Sequence, residues 1–294
     1  MVTQVRNKLL RLIPPDELSR VLRLCERIEL APRQILHHYK LPMEYVYFVE
    51  RGLVSVAAKV GRDKFVEVWL IGAEGLVGAP VVLAANAAPL HRRTVQVAGA
   101  ALRIRARDFC RTLESLPQLR SLVQRYLAVV LVQTSQSGAC NSYHGLKHRL
   151  ARWLLVARAA LADDEIPLTH RVLAELLGVR RASVTDCLVD LQNEGTISTR
   201  RGFVKVENHA GLSNLCCDCF RLIETAHRRL VPSAAANDFR LEAGARPIRP
   251  ASLGMDQHAS SRSLRRSSTE IRLAEDVNAP FRSQRGGLRR AFKE

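Results

Sequence analysis

The run PLTHRVLAELLGVRRASVTDCLVDLQNEGTISTRRGFVKV, residues 167–206, admits few folds. Leu168, Val172, Leu173, Leu176 and Leu177 recur on one helical face. Thr169 stands where an N-cap hydroxyl takes up a free backbone amide, and Gly178 stands where the helix has to stop. A second helix starts near Arg181, buries Val184, Leu188 and Leu191, and is ended by Gly195. The segment ISTRRGFVKV then reads as two short strands turning at Arg200, Arg201 and Gly202. Helix, tight turn, helix and basic hairpin make a winged helix-turn-helix.

That geometry selects DNA as the partner. A helix fits the major groove with its N-terminal residues facing the base edges, so Arg180, Arg181, Ser183, Thr185 and Asp186 are the expected base-contacting residues. Thr169 together with Arg200, Arg201 and Lys205 on the wing is suited to phosphates, which position the protein without reading sequence. Charge agrees: 45 Lys and Arg against 28 Asp and Glu leave +17, which calls for a polyanionic partner. Seven cysteines, an odd and scattered set, with no apolar signal stretch at the start, predict free thiols in a reducing cytoplasm. Tyr126 to Val132, the most apolar window, is far shorter than the ~20 residues a membrane-spanning helix needs, so no membrane partner is expected.

Upstream, residues 2–27 read as helical, with Pro14 and Pro15 opening an amphipathic turn. From Ile28 to Ile104 short β-branched and aromatic runs (QILHHY, EYVYFVE, LVSVAAKV, KFVEVWLI, TVQVAG, ALRIRA) alternate with glycine turns. Six to eight such strands fit an antiparallel double-sheet barrel of jelly-roll type. Residues 106–116 read as a short helix, and Pro117 opens a longer one. In that longer helix Leu119, Leu122, Val123, Tyr126, Leu127, Val130 and Leu131 form a stripe, while Val129 and Val132 add apolar surface elsewhere. Such a helix has one face for its own barrel and another for a partner chain. Ser137, Gly138, Asn141 and Ser142 make residues 135–143 the expected hinge. Residues 212–230 read as one last helix, and 233–294, rich in Ala, Ser and Arg, as a disordered basic tail.

The fold class is therefore α+β: an N-terminal barrel at 1–117, a long helix and hinge at 118–142, a winged helix-turn-helix at 143–232, and the tail at 233–294. Together, RLARWLL at Arg149 to Leu155, LTHRVLAELLGVRRASVTDCLVDLQNEGTIS and the upstream EYVYFVERGLVSV resemble the bacterial Crp/Fnr regulators, over about residues 5–230. The resemblance implies a cyclic-nucleotide-binding-like sensor barrel and a dimerisation helix. It further implies a homodimer on a two-fold symmetric double-stranded DNA operator, acting with RNA polymerase. The family's best-known members read bases with an Arg, a Glu and a second Arg on the recognition helix. Arg181 matches the first, but Ala182 and Asp186 stand in the other two places, so their base preference does not transfer.

In the family's cyclic-nucleotide sensors a glycine turn and an Arg followed by Ser or Thr hold the phosphate, and a Glu takes the ribose hydroxyl. By that resemblance Gly78, Arg93 and Thr94 would line a ligand pocket, but Ala79 replaces the Glu, so no cofactor is expected. Arg93 is equally readable as a surface arginine beside Arg92. The family's oxygen sensors carry an iron-sulfur cluster on several N-terminal cysteines, whereas this chain has Cys25 alone there. Cys216, Cys217 and Cys219 read as buried thiols, because neighbours on a helix point about 100° apart and zinc sites favour C-x-x-C spacing. His37 and His38 are neighbours on a strand, so only one can face the pocket. No metal site is expected.

The rival reading of a metal-dependent barrel enzyme needs ligands two apart along a strand, which His37, His38 and His91 do not supply. With no nucleophile elbow, phosphate loop or H-E-x-x-H either, no catalytic residue is expected. A sequence-tolerant, nucleoid-like DNA-binding protein remains the nearer alternative.

Overall fold

A computed structural model describes residues 5–231 apart from 63 and 85–87. The tail expected at 233–294 lies outside the described residues. Helix α1 (Pro15–Leu22) leads into six antiparallel strands: β1 (Glu26–Leu30), β2 (Ile35–His37), β3 (Tyr45–Lys59), β4 (Phe65–Ile71), β5 (Leu76–Val77) and β6 (His91–Arg105). They run in the order β1-β6-β3-β4, with β2 also on β6 and β5 also on β3. The long pair β3 and β6 forms the spine, and its register shifts between Val49 and Val54. At this kink Gly52 has φ +90°, and a side chain on Gly99 would sit 2.0 Å from the Arg51 carbonyl oxygen. Only glycines let the two backbones approach there, and the bend folds the sheet onto itself as a barrel.

Helix α2 (Ala106–Ser115) is followed by α3 (Pro117–Tyr143). Leu119, Leu122, Val123, Tyr126, Leu127 and Val130 of α3 join the barrel core. The Tyr126 hydroxyl accepts a bond from the Leu76 amide at 3.1 Å. Leu131, expected in this inward stripe, is instead 67% exposed, and Val132 is exposed too.

The remaining helices and strands are α4 (Leu146–Leu161), β7 (Glu165–Ile166), α5 (His170–Leu177), α6 (Arg181–Asn193), β8 (Ile197–Arg200), β9 (Phe203–Val206), α7 (His209–Leu215) and α8 (Cys219–Leu230). Strands β7, β9 and β8 form a small antiparallel sheet. A second core joins α4 to α7 and takes in Leu53 and Leu70 from the barrel. No helix among the described residues is long and apolar enough to cross a membrane.

Three expectations are corrected. Residues 135–143 form the last turns of α3, so the break falls at His144 and Gly145. Packing overrides the weak helix propensity of Ser, Gly and Asn here: Gln133, Ser137 and Cys140 are buried, and the Ser142 hydroxyl bonds back to the Gly138 carbonyl. The restart at Pro14 and Pro15 is as expected, but within residues 5–27 the helix is confined to α1 and a 3-10 turn at Leu10–Leu12, and β1 already begins at Glu26. The expected helix 212–230 is two helices broken at residues 216–218.

Candidate nucleic-acid interface

Thr169 caps α5, its hydroxyl accepting from the Val172 amide at 3.3 Å while its own O–H stays available as a donor. Gly178 ends the helix at φ +68°. A β-carbon there would sit 2.9 Å from the Val66 side chain, so the turn rests against β4 of the barrel. Helix α6 buries Val184, Leu188 and Leu191 and turns Arg181, Ala182 and Asp186 outward, with Val189 50% exposed. Arg180 is the N-cap residue without a side-chain cap bond, and it too is exposed. Ser183 and Thr185 are half-buried. The Thr185 hydroxyl donates to the Arg181 carbonyl at 3.1 Å and lies 3.1 Å from His170 Nδ1.

Of the expected base-facing set, Arg180, Arg181 and Asp186 are exposed at one end of α6, over the buried Val184, Leu188 and Leu191, whereas Ser183 and Thr185 are half-buried. Loss of Leu188 to alanine would cost about 2–5 kcal/mol by the usual core scale, which measures how firmly that end is held.

The wing turns at Gly202, φ +83°. Two of its cations carry counter-charges that sequence reading missed. Arg200 pairs with Glu165 at 2.6 Å and lies over the Phe203 ring at 4.5 Å. Lys205 pairs with Glu207 at 3.0 Å, which raises the lysine's affinity for its proton, and the Ser198 hydroxyl and Lys205 together hold the Glu207 carboxyl below the usual range. Arg201 is exposed and has no ion pair among the described residues. The antiparallel register of β7 with β9, Glu165 opposite Lys205, brings this acid to the wing. Sequence reading also missed a cleft where Lys64 and Arg92 of the barrel face Arg171, Arg180 and Arg181, with Glu175 alone as counter-charge in its lining.

Inside the barrel, Arg93 is 3% exposed, which corrects its reading as a surface residue: strand alternation sends Arg92 over the Phe65 ring and Arg93 inward. Arg93 donates to the His91 carbonyl at 3.1 Å, yet its buried Nε has no partner, and burial pushes its pKa down to about 10. His37 faces it, and His38 is exposed. Burial first and Arg93 second lower the His37 pKa to about 4, so the imidazole is neutral; Nε2 lies 2.7 Å from the Tyr45 carbonyl and the buried Nδ1 is unpartnered. Gly78, φ +96°, packs so closely that a β-carbon would meet the His37 ring at 3.0 Å. Gly78 and Arg93 therefore meet through His37. Thr94 follows Arg93 on the strand, and its buried hydroxyl also lacks a partner. Ala79 is fully buried and offers no acceptor.

Residues 148–215 match the Crp-like helix-turn-helix domain. A global nitrogen regulator of Nostoc sp. is 24% identical over 180 residues, 58% of this chain and 81% of that protein. Among solved structures, FixK2 from Bradyrhizobium japonicum aligns with a TM-score of 0.57 at 16% identity, covering 66% of this chain and 98% of that one. The c-di-GMP-responsive global regulator CLP of Xanthomonas campestris aligns at 0.55 and 18% identity, over 66% of this chain and 99% of its own. These structural likenesses establish a shared fold.

Proposed function

We propose, from the premise that this chain is a Crp/Fnr-family protein, that it regulates transcription as a cytoplasmic homodimer bound to a gapped inverted-repeat operator. Its helix-turn-helix domain makes it a DNA-binding regulator. The observation that carries the finer reading is the exposed N-terminal end of α6 above the buried Val184, Leu188 and Leu191. Arg180, Arg181, Ser183, Thr185 and Asp186 are the proposed readers of base edges, and Thr169, Arg200, Arg201 and Lys205 the proposed phosphate contacts. Pairing through α3 is supported by Leu131 and Val132, apolar and exposed on the side away from the barrel. Two recognition helices related by a two-fold axis would enter successive major grooves roughly 34 Å apart. Contacts with RNA polymerase belong to the same reading.

The barrel is proposed as the effector site, with Gly78, Arg93 and Thr94 in its lining. A buried guanidinium with an unsatisfied N–H and no ion pair among the described residues favours an anionic ligand, while the missing side-chain acceptor at Ala79 disfavours a cyclic nucleotide held by its ribose.

Selection of bound sequences from a random duplex pool, with and without cyclic AMP, cyclic GMP and c-di-GMP, tests both parts. An enriched inverted repeat supports the regulator. A pool that stays random, with affinity falling steeply in salt and no preferred site, supports instead a sequence-tolerant DNA-binding protein.

A further inference from the structure

The cysteines unused by DNA binding converge on one point. Cys140 lies in the last turn of α3, and His144 ends that helix, its backbone N–H donating to the Cys140 carbonyl at 3.0 Å. Cys217 sits in the break between α7 and α8, and Cys219 opens α8. One ligand atom from each of the four residues falls within 4.8 Å of all the others. We propose that Cys140, His144, Cys217 and Cys219 form a four-ligand structural site for Zn2+ or a cation of its class.

The size is right. A tetrahedral Zn2+ with sulfur at about 2.3 Å and nitrogen at about 2.0 Å has sulfur–sulfur edges of ~3.8 Å and sulfur–nitrogen edges of ~3.5 Å. Cys140 Sγ is 3.6 Å from Cys217 Sγ, and Cys219 Sγ is 3.7 Å from His144 Nδ1. The spacing objection from sequence disappears in the fold. Cys140 and His144 are four apart on a helix and share a face. Cys216 is extended, φ −80° and ψ 152°, so the chain at Cys217 is no longer helical and can bring Cys219 to the same side.

The surroundings fit a buried cluster of thiolates. All three cysteines are buried. Gln136 Nε2 donates to Cys219 Sγ at 3.1 Å, the kind of outer bond that steadies a metal-bound sulfur. Three thiolates and a neutral imidazole around a divalent ion carry one net negative charge. Arg152, itself buried, hangs from Ser137 one turn before Cys140 and keeps an unpartnered Nε, and Arg149 is bonded to the adjacent Asn141.

With no open position the site is structural rather than catalytic. It clips the end of α3 and the link into α4 to the start of α8. If the chain is the regulator proposed above, the metal holds its DNA-binding helices at one angle to the dimer helix, and metal loss frees them.

The test uses the full chain purified under reducing agent. Mass spectrometry of the metal content should find about one Zn2+ per chain. Co2+ added to chelator-stripped protein should give thiolate-to-cobalt charge transfer and the intense visible bands of a tetrahedral site. Cys217→Ser and Cys219→Ser should abolish those bands, Gln136→Ala should weaken Co2+ binding about 10-fold, and Cys110→Ser should change nothing. A wild-type chain that takes up no tetrahedral Co2+, one whose bands survive both serine variants, or one found with a Cys140–Cys217 disulfide in place of metal overturns the site. Co2+ bound here in a chain that enriches no DNA sequence would keep the site and sink the regulator; the reverse pair of results sinks the site alone.

Discussion

The indole N–H of Trp153 on α4 donates to both carboxylate oxygens of Glu67 on β4, at 3.0 and 2.9 Å. One side chain of the helix-turn-helix domain is thus bonded to one side chain of the barrel. Burial pushes the Glu67 carboxyl up to about 7, against the opposing pull of the indole N–H and of Arg152. A raised pKa in the folded state means that stability is fully present below the ordinary carboxylate value and is lost as pH rises through about 7. His37, its pKa held at about 4, works in the opposite direction over the same range, so Glu67 is isolated by comparison with Glu67→Gln, which keeps an acceptor for the indole and removes the charge. The melting temperature of the wild type relative to Glu67→Gln should rise by several degrees between pH 8 and pH 5.5. A difference between the two that does not change over that range contradicts the assignment.

Arg181 and Arg201 should fail in different ways. Arg181→Ala is expected to lose about 1–3 kcal/mol of discrimination at one base pair of each half-site while scrambled duplex binds nearly as before. Arg201→Ala should weaken all sequences alike and lower the slope of log affinity against log salt by about 1. Arg200→Ala should have a smaller slope effect, since Glu165 already holds that guanidinium and a phosphate must compete for it. Titrations of operator and scrambled duplex at several salt concentrations decide it; equal losses on both duplexes for Arg181→Ala count against the division.

Gly178 and Gly195 have nearly the same backbone, φ +68° and +67°, but only Gly178 has a neighbour where a β-carbon would go. Alanine at either position should cost about 1–2 kcal/mol for the left-handed conformation. Gly178→Ala should cost more than Gly195→Ala by the clash with Val66, and Val66→Ala should remove that excess. Denaturant midpoints of the four variants, analysed as a double-mutant cycle, measure it. An excess that persists with Val66→Ala would place the cost outside this contact.

Arg93→Gln should leave DNA affinity without effector largely intact, because the residue lies inside the barrel. The same change should remove any rise in melting temperature given by an anionic effector. A ligand that stabilises wild type and variant equally binds elsewhere.

What the amino-acid order determined by itself is local. Thr169, the apolar positions of α5 and α6, Gly178, Gly195 and Gly202 interact within a few residues of each other, so cap, helix faces, turns and hairpin follow from spacing. The same holds for the alternation that sends Arg93 inward and Arg92 outward, although nothing in the sequence chose which of the two faces the core. Long-range packing decided the rest. It kept residues 135–143 helical by burying Ser137 and Cys140, and it set Glu165 and Glu207 against the cations of the wing. It also drew Cys140 and His144 to Cys217 and Cys219, more than seventy residues away. Contacts between residues so far apart leave no period and no spacing in the chain, because their geometry exists only once both cores have closed.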